Sequence, residues 1–266
     1  VLLGCRWGPT KTRRQLKVLL MTAPYRSPYA APVTYSKISP SGPAMRPYYV
    51  KYLNEVGAIE EREIRAPSTP DFQSAFNAFS HGSLVSTTKG EVAVEDLRPG
   101  LKVVTRERGA QEIMWIGIMT HLALPNGSPF LTRVTGGRFG QAQPAMDLMA
   151  GPGARMLHRP ASSHFDAGDK MVYSPLRDFI DGDSVIAIAP RMATDTYHIA
   201  LRYHGTIRVG GLDMETFHPG MTILEQMGHH TRDLFLSMFP HIRRAADFGR
   251  MAHPRRSMRR SGEEAA

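Results

Sequence analysis

Thiol chemistry is nearly missing from this chain. Cys5 is the only cysteine in 266 residues, which excludes a disulfide framework within one chain and any cysteine-based zinc site. No apolar run approaches the ~20 residues that a membrane-spanning helix needs, so no span is expected. Long helices are disfavoured too, because 20 Pro and 24 Gly favour short elements joined by turns. One-signed charge is absent from the middle of the chain. The formal net charge is +9, yet residues 1–20 hold five bases and no acid, and residues 243–266 hold seven Arg and three acids. The two ends carry the whole excess, and residues 21–242 are neutral overall. Such a body has no built-in phosphate-binding face, so no specific nucleic-acid partner is expected. The Arg-rich end, with few aromatics interleaved, offers only non-specific attraction. What is present is a hydrophobic share of 42% and an aromatic share of 8%, enough for a packed core.

Targeting signals fall short. Leu2-Leu3-Gly4-Cys5 has the form of a lipoprotein cleavage box, but no basic and apolar segment precedes it. Thr12-Arg13-Arg14 has the form of a twin-arginine signal, but the apolar run after it stops at Pro24. Residues 1–20 read as a non-native or disordered leader, and a cytoplasmic location is expected. Residues 21–77 read as a Pro-rich extension, with a Pro- and Tyr-rich part (21–52) open to an unknown protein partner. Within it, Tyr48–Ile64 leaves short strands and a pair of helical turns both open. Phe72, Phe76 and Phe79 follow a helical spacing with Asp71 as N-cap. From Ser83 onward, short β-forming runs alternate with Gly and Pro: Leu84–Thr87, Val92–Val94, Leu101–Thr105, Glu112–Met119, Asp183–Ala189, Thr196–Leu201 and Thr206–Val209. Leu176–Ile180 is a short helical candidate. Thr231–Phe239 predicts a helix capped by Thr231 and stopped by Pro240. Residues 221–266 are thus a helix followed by a basic tail.

Four separated segments carry a family resemblance. The first is Ala78-Phe79-Ser80-His81-Gly82-Ser83-Leu84-Val85. The second is Glu95-Asp96-Leu97-Arg98-Pro99-Gly100 with Trp115-Ile116-Gly117. The third runs from Asp147 to Leu157. The fourth is Tyr197–His204, ending in Glu215-Thr216-Phe217-His218-Pro219-Gly220. In this order they resemble the Hint domain, the self-processing module of inteins and hedgehog proteins, and especially its bacterial branch. The resemblance covers residues 78–220. It implies a mainly β chain: one irregular all-β domain with internal pseudo-twofold symmetry, plus short flanking helices.

The resemblance also implies a chemistry that this sequence lacks. In the family a Cys at the first motif position takes over the acyl group of the preceding residue, and a His in the third segment protonates the scissile amide. Here those positions are Ala78 and Ala154. Loss of a catalytic unit costs many powers of ten in rate, so a degenerate domain without autoprocessing is expected, kept as a structural or interaction module rather than an enzyme. No Asn follows Asn126, so the intein-type carboxyl-side cleavage by Asn cyclisation has no reagent. The alternative is self-cleavage by Ser80 through an N-to-O acyl shift, with Ser83 a weaker candidate.

His198 and His204 match positions the family retains; each is expected to make a structural hydrogen bond, and with Ser80 they are the remaining catalytic candidates. His158 lies four residues past Ala154 and reads as a surface or packing His. His229, His230, Asp233 and His241 lack the i, i+4 spacing of a helical metal site. Gly136-Gly137-Arg138-Phe139-Gly140 lacks the spacing of a phosphate loop. No cofactor and no metal are expected.

Overall fold

The computed structural model describes residues 43–123, 127–160 and 171–258. The expectations placed on the leader, on residues 21–42 of the Pro-rich extension and on the end of the basic tail lie outside the described residues. The chain enters with a hairpin of Met45–Leu53 (β1) and Ile59–Pro67 (β2). Tyr48, Val50 and Tyr52 are buried at alternate positions of β1, the period of a strand. Asn54 closes the turn by accepting the Val56 and Ala58 N–H groups at 3.1 and 2.8 Å, and Gly57 adopts a φ of +79° there.

A short helix, Pro70–Gln73 (α1), follows, with Thr69 in the N-cap position. Asp71 is therefore inside the first turn and not the cap, because Pro70 starts the helix two residues earlier than expected. The helical spacing breaks before Phe79, which lies in Phe79–Ser80 (β3). The remaining strands are Leu84–Thr87 (β4), Gly90–Ala93 (β5), Lys102–Thr105 (β6), Gly109–His121 (β7) and Leu131–Val134 (β8). Leu148–Ala150 (β9), Arg155–His158 (β10), Val172–Pro175 (β11) and Val185–Ile188 (β12) come next. Thr194–Leu201 (β13), Thr206–Val209 (β14) and Leu212–Glu215 (β15) complete the set. Every ladder between these strands is antiparallel. Leu176–Phe179 is a 3-10 turn. Two helices follow, Met221–Gln226 (α2) and His229–Ser237 (α3), and then a 3-10 turn at Ala245–Phe248. The second begins at the N-cap Gly228, so Thr231 falls inside its first turn and does not cap it.

β7 organises the molecule. Its first residues pair with β6, and the rest is flanked by β13 on one side and β1 on the other. The upstream hairpin is thus an added strand layer of the central sheet. Two apolar clusters result. One holds Ala78, Phe79, Ala154, Ile113, Ile199 and Met214. The other joins Tyr48, Phe72 and Phe76 from the amino side to Trp115 and to Phe217, Phe235 and Phe239. Trp115 is fully buried, and its indole N–H donates to the Met238 carbonyl at 2.7 Å. A Cβ on Gly117 would lie 2.2 Å from the Trp115 ring and 2.6 Å from Phe76, so only glycine fits there. Each large aromatic buried in this way contributes about 1.5–3 kcal/mol.

Candidate functional site

Ala78 sits just before β3 and is fully buried. Its N–H donates to the Tyr197 carbonyl at 3.1 Å, and its own carbonyl accepts the Gly151 N–H at 2.8 Å. One residue earlier, the Asn77 carbonyl accepts the Gly153 N–H at 3.1 Å. The two glycines are obligatory to this cradle. A Cβ on Gly151 would stand 2.1 Å from the Asn77 carbonyl oxygen, and one on Gly153 would stand 2.4 Å from Asn77 Oδ1. Ala154 is buried in the same apolar cluster as Ala78; its carbonyl accepts the Leu176 N–H at 2.9 Å. Both matching positions are therefore occupied by methyl groups packed among Phe79, Ala150, Met156 and Leu176.

Ser80 is buried within β3, paired with Thr196 of β13. Its carbonyl accepts both the Ser83 N–H at 3.1 Å and the Ser83 hydroxyl at 2.6 Å. His81 points outward and pairs with Glu95 at 3.4 Å. His198, on β13, is 2% exposed, and its Nδ1–H donates to the Ser74 carbonyl at 3.0 Å. Burial pushes its imidazole down to about 4, so it is neutral near pH 7. Edge contacts with Phe79 and Phe217 hold the ring. His158 is half-buried, bonded to the Ser174 hydroxyl at 2.8 Å and set edge-on against Phe179.

His204 belongs to a buried polar knot whose other members were not singled out from the sequence. Its Nδ1 accepts the Ala252 N–H at 2.9 Å. That fixes the proton on Nε2, which faces Glu215 Oε1 at 3.1 Å and the Thr216 carbonyl at 3.2 Å. Glu215 is 2% exposed and takes Arg255 Nε at 2.9 and 3.2 Å, with Arg155 at 3.7 Å. Burial alone would raise the Glu215 carboxyl. The His204 hydrogen bond and the Arg255 and Arg155 charges outweigh it and hold the carboxyl at about 2. Burial, then the neighbouring His204, push the His218 imidazole down to about 4, so it is uncharged near pH 7. Glu215 and His218 end the fourth motif segment, so a signal existed. Arg255 gave none, having been counted with the basic tail.

Over the described residues, arginines of that tail make ion pairs. Arg255 is half-buried against Glu215, Arg243 pairs with Glu55 and Arg244 with Asp247. A cleft of about 360 Å³ opens beside Asn77, bordered by Gln73, Ser74, Gly153, Arg155, His218 and Arg255. It lies next to the matching positions without reaching Ala78 or Ala154, and Ser80, His198 and His204 do not line it. His229, His230 and Asp233 are exposed on α3. Among the described residues no three His, Cys, Asp or Glu side chains gather as metal ligands. No helix of the described residues is long and apolar enough to cross a membrane.

A mainly antiparallel β domain with an N-terminal motif cradled by a Gly-Pro-Gly turn is the class this geometry defines. The Hint domain family matches residues 77–221. The chain belongs to that family. A search of curated proteins finds no match. Among solved structures, the solution structure of a bacterial intein-like domain from Clostridium thermocellum is similar at 14% identity and a TM-score of 0.34, covering 53% of this chain and 99% of that one. The crystal structure of a DnaB intein from Synechocystis sp. PCC 6803 is similar at 13% identity and a TM-score of 0.31, with the same coverage.

Proposed function

We propose that this Hint domain does not process itself and serves as a structural or interaction module. One observation carries the reading: the positions matching the family's nucleophile and histidine are buried methyl groups inside a closed apolar cluster. No acyl acceptor stands at the Asn77–Ala78 bond, and no imidazole stands at position 154 to protonate a leaving amine. The upstream chain supports the same reading. β1 is hydrogen-bonded along β7, and Tyr48, Phe72 and Phe76 pack into the second cluster. Residues before Ala78 are thus part of the packed body, which is unlike a segment destined for release.

The Ser80 alternative has less behind it. An N-to-O shift there would act on the Phe79–Ser80 bond, within β3, and both residues of that strand are paired to β13. Intact-mass measurement of the purified chain, incubated with and without hydroxylamine or thiol, tests the proposal. The uncut mass is expected under both conditions. A fragment beginning at residue 78 or 80 would overturn it.

A further inference from the structure

The last described residues lie along the outer edge of β11 as an added strand. β11 pairs with β10 on one side. On the other, Tyr173 donates its N–H to the Pro254 carbonyl at 2.9 Å and accepts the Arg256 N–H at 2.8 Å, a parallel bridge with Arg255. Pro254 fixes an extended backbone and has no N–H that would need a partner. Side chains of the segment then alternate. Pro254 and Arg256 are exposed, whereas His253 and Arg255 are half-buried. His253 Nε2 meets Glu107 Oε1 at 3.0 Å, with its ring edge-on to Tyr173. Arg255 Nε donates to both Glu215 oxygens at 2.9 and 3.2 Å, and its Nη2 donates to the His218 carbonyl. Beyond them, Asp178 accepts the Ser257 hydroxyl and the Met258 N–H, both at 2.9 Å.

Host and guest are unequal. The receiving side is interior: Tyr173 is fully buried and Glu215 is 2% exposed. The arriving side is surface, since no residue from Gly249 to Met258 is buried. Charge is complementary across the groove, with Glu107, Asp178 and Glu215 facing a segment that carries His253, Arg255 and Arg256. A buried carboxylate needs a cation close by, and Arg155 comes only to 3.7 Å of Glu215. The near guanidinium is the one brought in by the surface segment.

We propose that this edge is a binding groove for an extended basic peptide with the pattern His-x-Arg, and that residues 252–258 fill it as a built-in ligand that a matching peptide displaces. Recognition is strand addition: main-chain bonds to Tyr173 set the register, and Glu107 and Glu215 read the alternate side chains. The acceptors at Glu215 and His218 suit the planar fork of arginine better than the point charge of lysine. Tethering gives the resident segment an effective concentration in the millimolar range, which keeps the groove closed until a competitor arrives. The proposal rests on the reading of the domain as an uncut interaction module and gives that module a partner class.

The test uses the isotopically labelled full chain, first shown by mass to be uncut, and an unlabelled, acetylated and amidated peptide of residues 252–258. Hydrogen exchange is read by NMR at single amides while the peptide is raised into the millimolar range. Displacement should speed exchange of the chain's own Arg256 N–H, which loses the Tyr173 carbonyl. The Tyr173 N–H should stay protected, because the incoming peptide supplies the same acceptor. A peptide carrying Arg255→Ala should act about tenfold more weakly or worse. In a second arm, a fluorescent copy of the native peptide is titrated against full-length Arg255→Ala, whose resident segment has lost its anchor. About tenfold tighter binding than to the wild type is expected. Because Arg255→Ala also touches Glu215, the exchange arm on the native chain decides alone if that variant does not fold. Unchanged Arg256 exchange at millimolar peptide would overturn the proposal, as would an equal response to the Arg255→Ala peptide. Loss of protection at Tyr173 together with Arg256 would overturn it too, marking a segment that frays without being replaced. Any of these failures leaves the uncut module standing, whereas a cleaved chain that still exchanges its segment would undo the module reading alone.

Discussion

The interior around Ala78 and Ala154 and the interior around Glu215 solve burial in opposite ways. In the first, backbone amides are satisfied by the Tyr197 carbonyl and the Gly151 and Gly153 N–H groups, and everything else is apolar. In the second, a buried carboxylate and a buried imidazole are held together with two partly exposed guanidiniums. The difference teaches that the cradle holding the Asn77–Ala78 bond is a property of backbone and glycines, independent of any nucleophile. Polar side chains persist one layer away, where each is held by a charge partner. The cradle thus stands with methyl groups at both matching positions, Ala78 and Ala154.

The comparison breaks hardest at Glu215. Glu215→Leu strips the shared counter-ion from Arg255 and Arg155, and breaking a buried pair in this way costs about 3–5 kcal/mol. Urea unfolding should show a lowered midpoint with little change in slope. On the apolar side, Gly151→Ala drives a Cβ into the Asn77 carbonyl, since the 2.1 Å approach is to backbone. About 1–3 kcal/mol is expected from such overpacking, again by urea unfolding, while the Glu215 ion pairs persist.

Acid titrates the buried histidines and Glu215 in different pH windows. His198 and His218 are held at about 4 in the folded chain, below the ~6.5 of an unfolded histidine. Between those values the unfolded chain binds protons that the folded one refuses, so stability falls as pH drops from about 6.5 to 4. Glu215, held at about 2, adds a further loss as pH falls from about 4.5 to 2. Thermal melts across pH should show the first decline intact in Glu215→Leu and the second reduced. The smallest effect is expected at Arg243. Its pair with Glu55 is solvent-exposed on both sides, and Arg243→Ala should leave the thermal midpoint unchanged within error.

Much of the β body was legible because its signals are local. Pro99-Gly100 and the alternating runs after Ser83 mark strands and turns through backbone preferences. The positions of Ala78 and Ala154 were legible as residues, and their closed surroundings were not, because these depend on Ala150, Met156 and Leu176 meeting in space. The hairpin of β1 and β2 was only half legible. Tyr48, Val50 and Tyr52 show the strand period, yet their partner Trp115 is remote in sequence. Arg255 was illegible as a structural cation. In a run of arginines nothing local distinguishes the one that meets Glu215, 40 residues earlier.

The most direct measurement on the central claim is a time course of intact mass for the wild-type chain beside Ala78→Cys, each with and without hydroxylamine. A single uncut species is predicted for the wild type throughout. Ala78→Cys should stay uncut too, because Ala154 supplies no proton to the leaving amine. A wild-type fragment beginning at residue 78 or 80 would contradict the account.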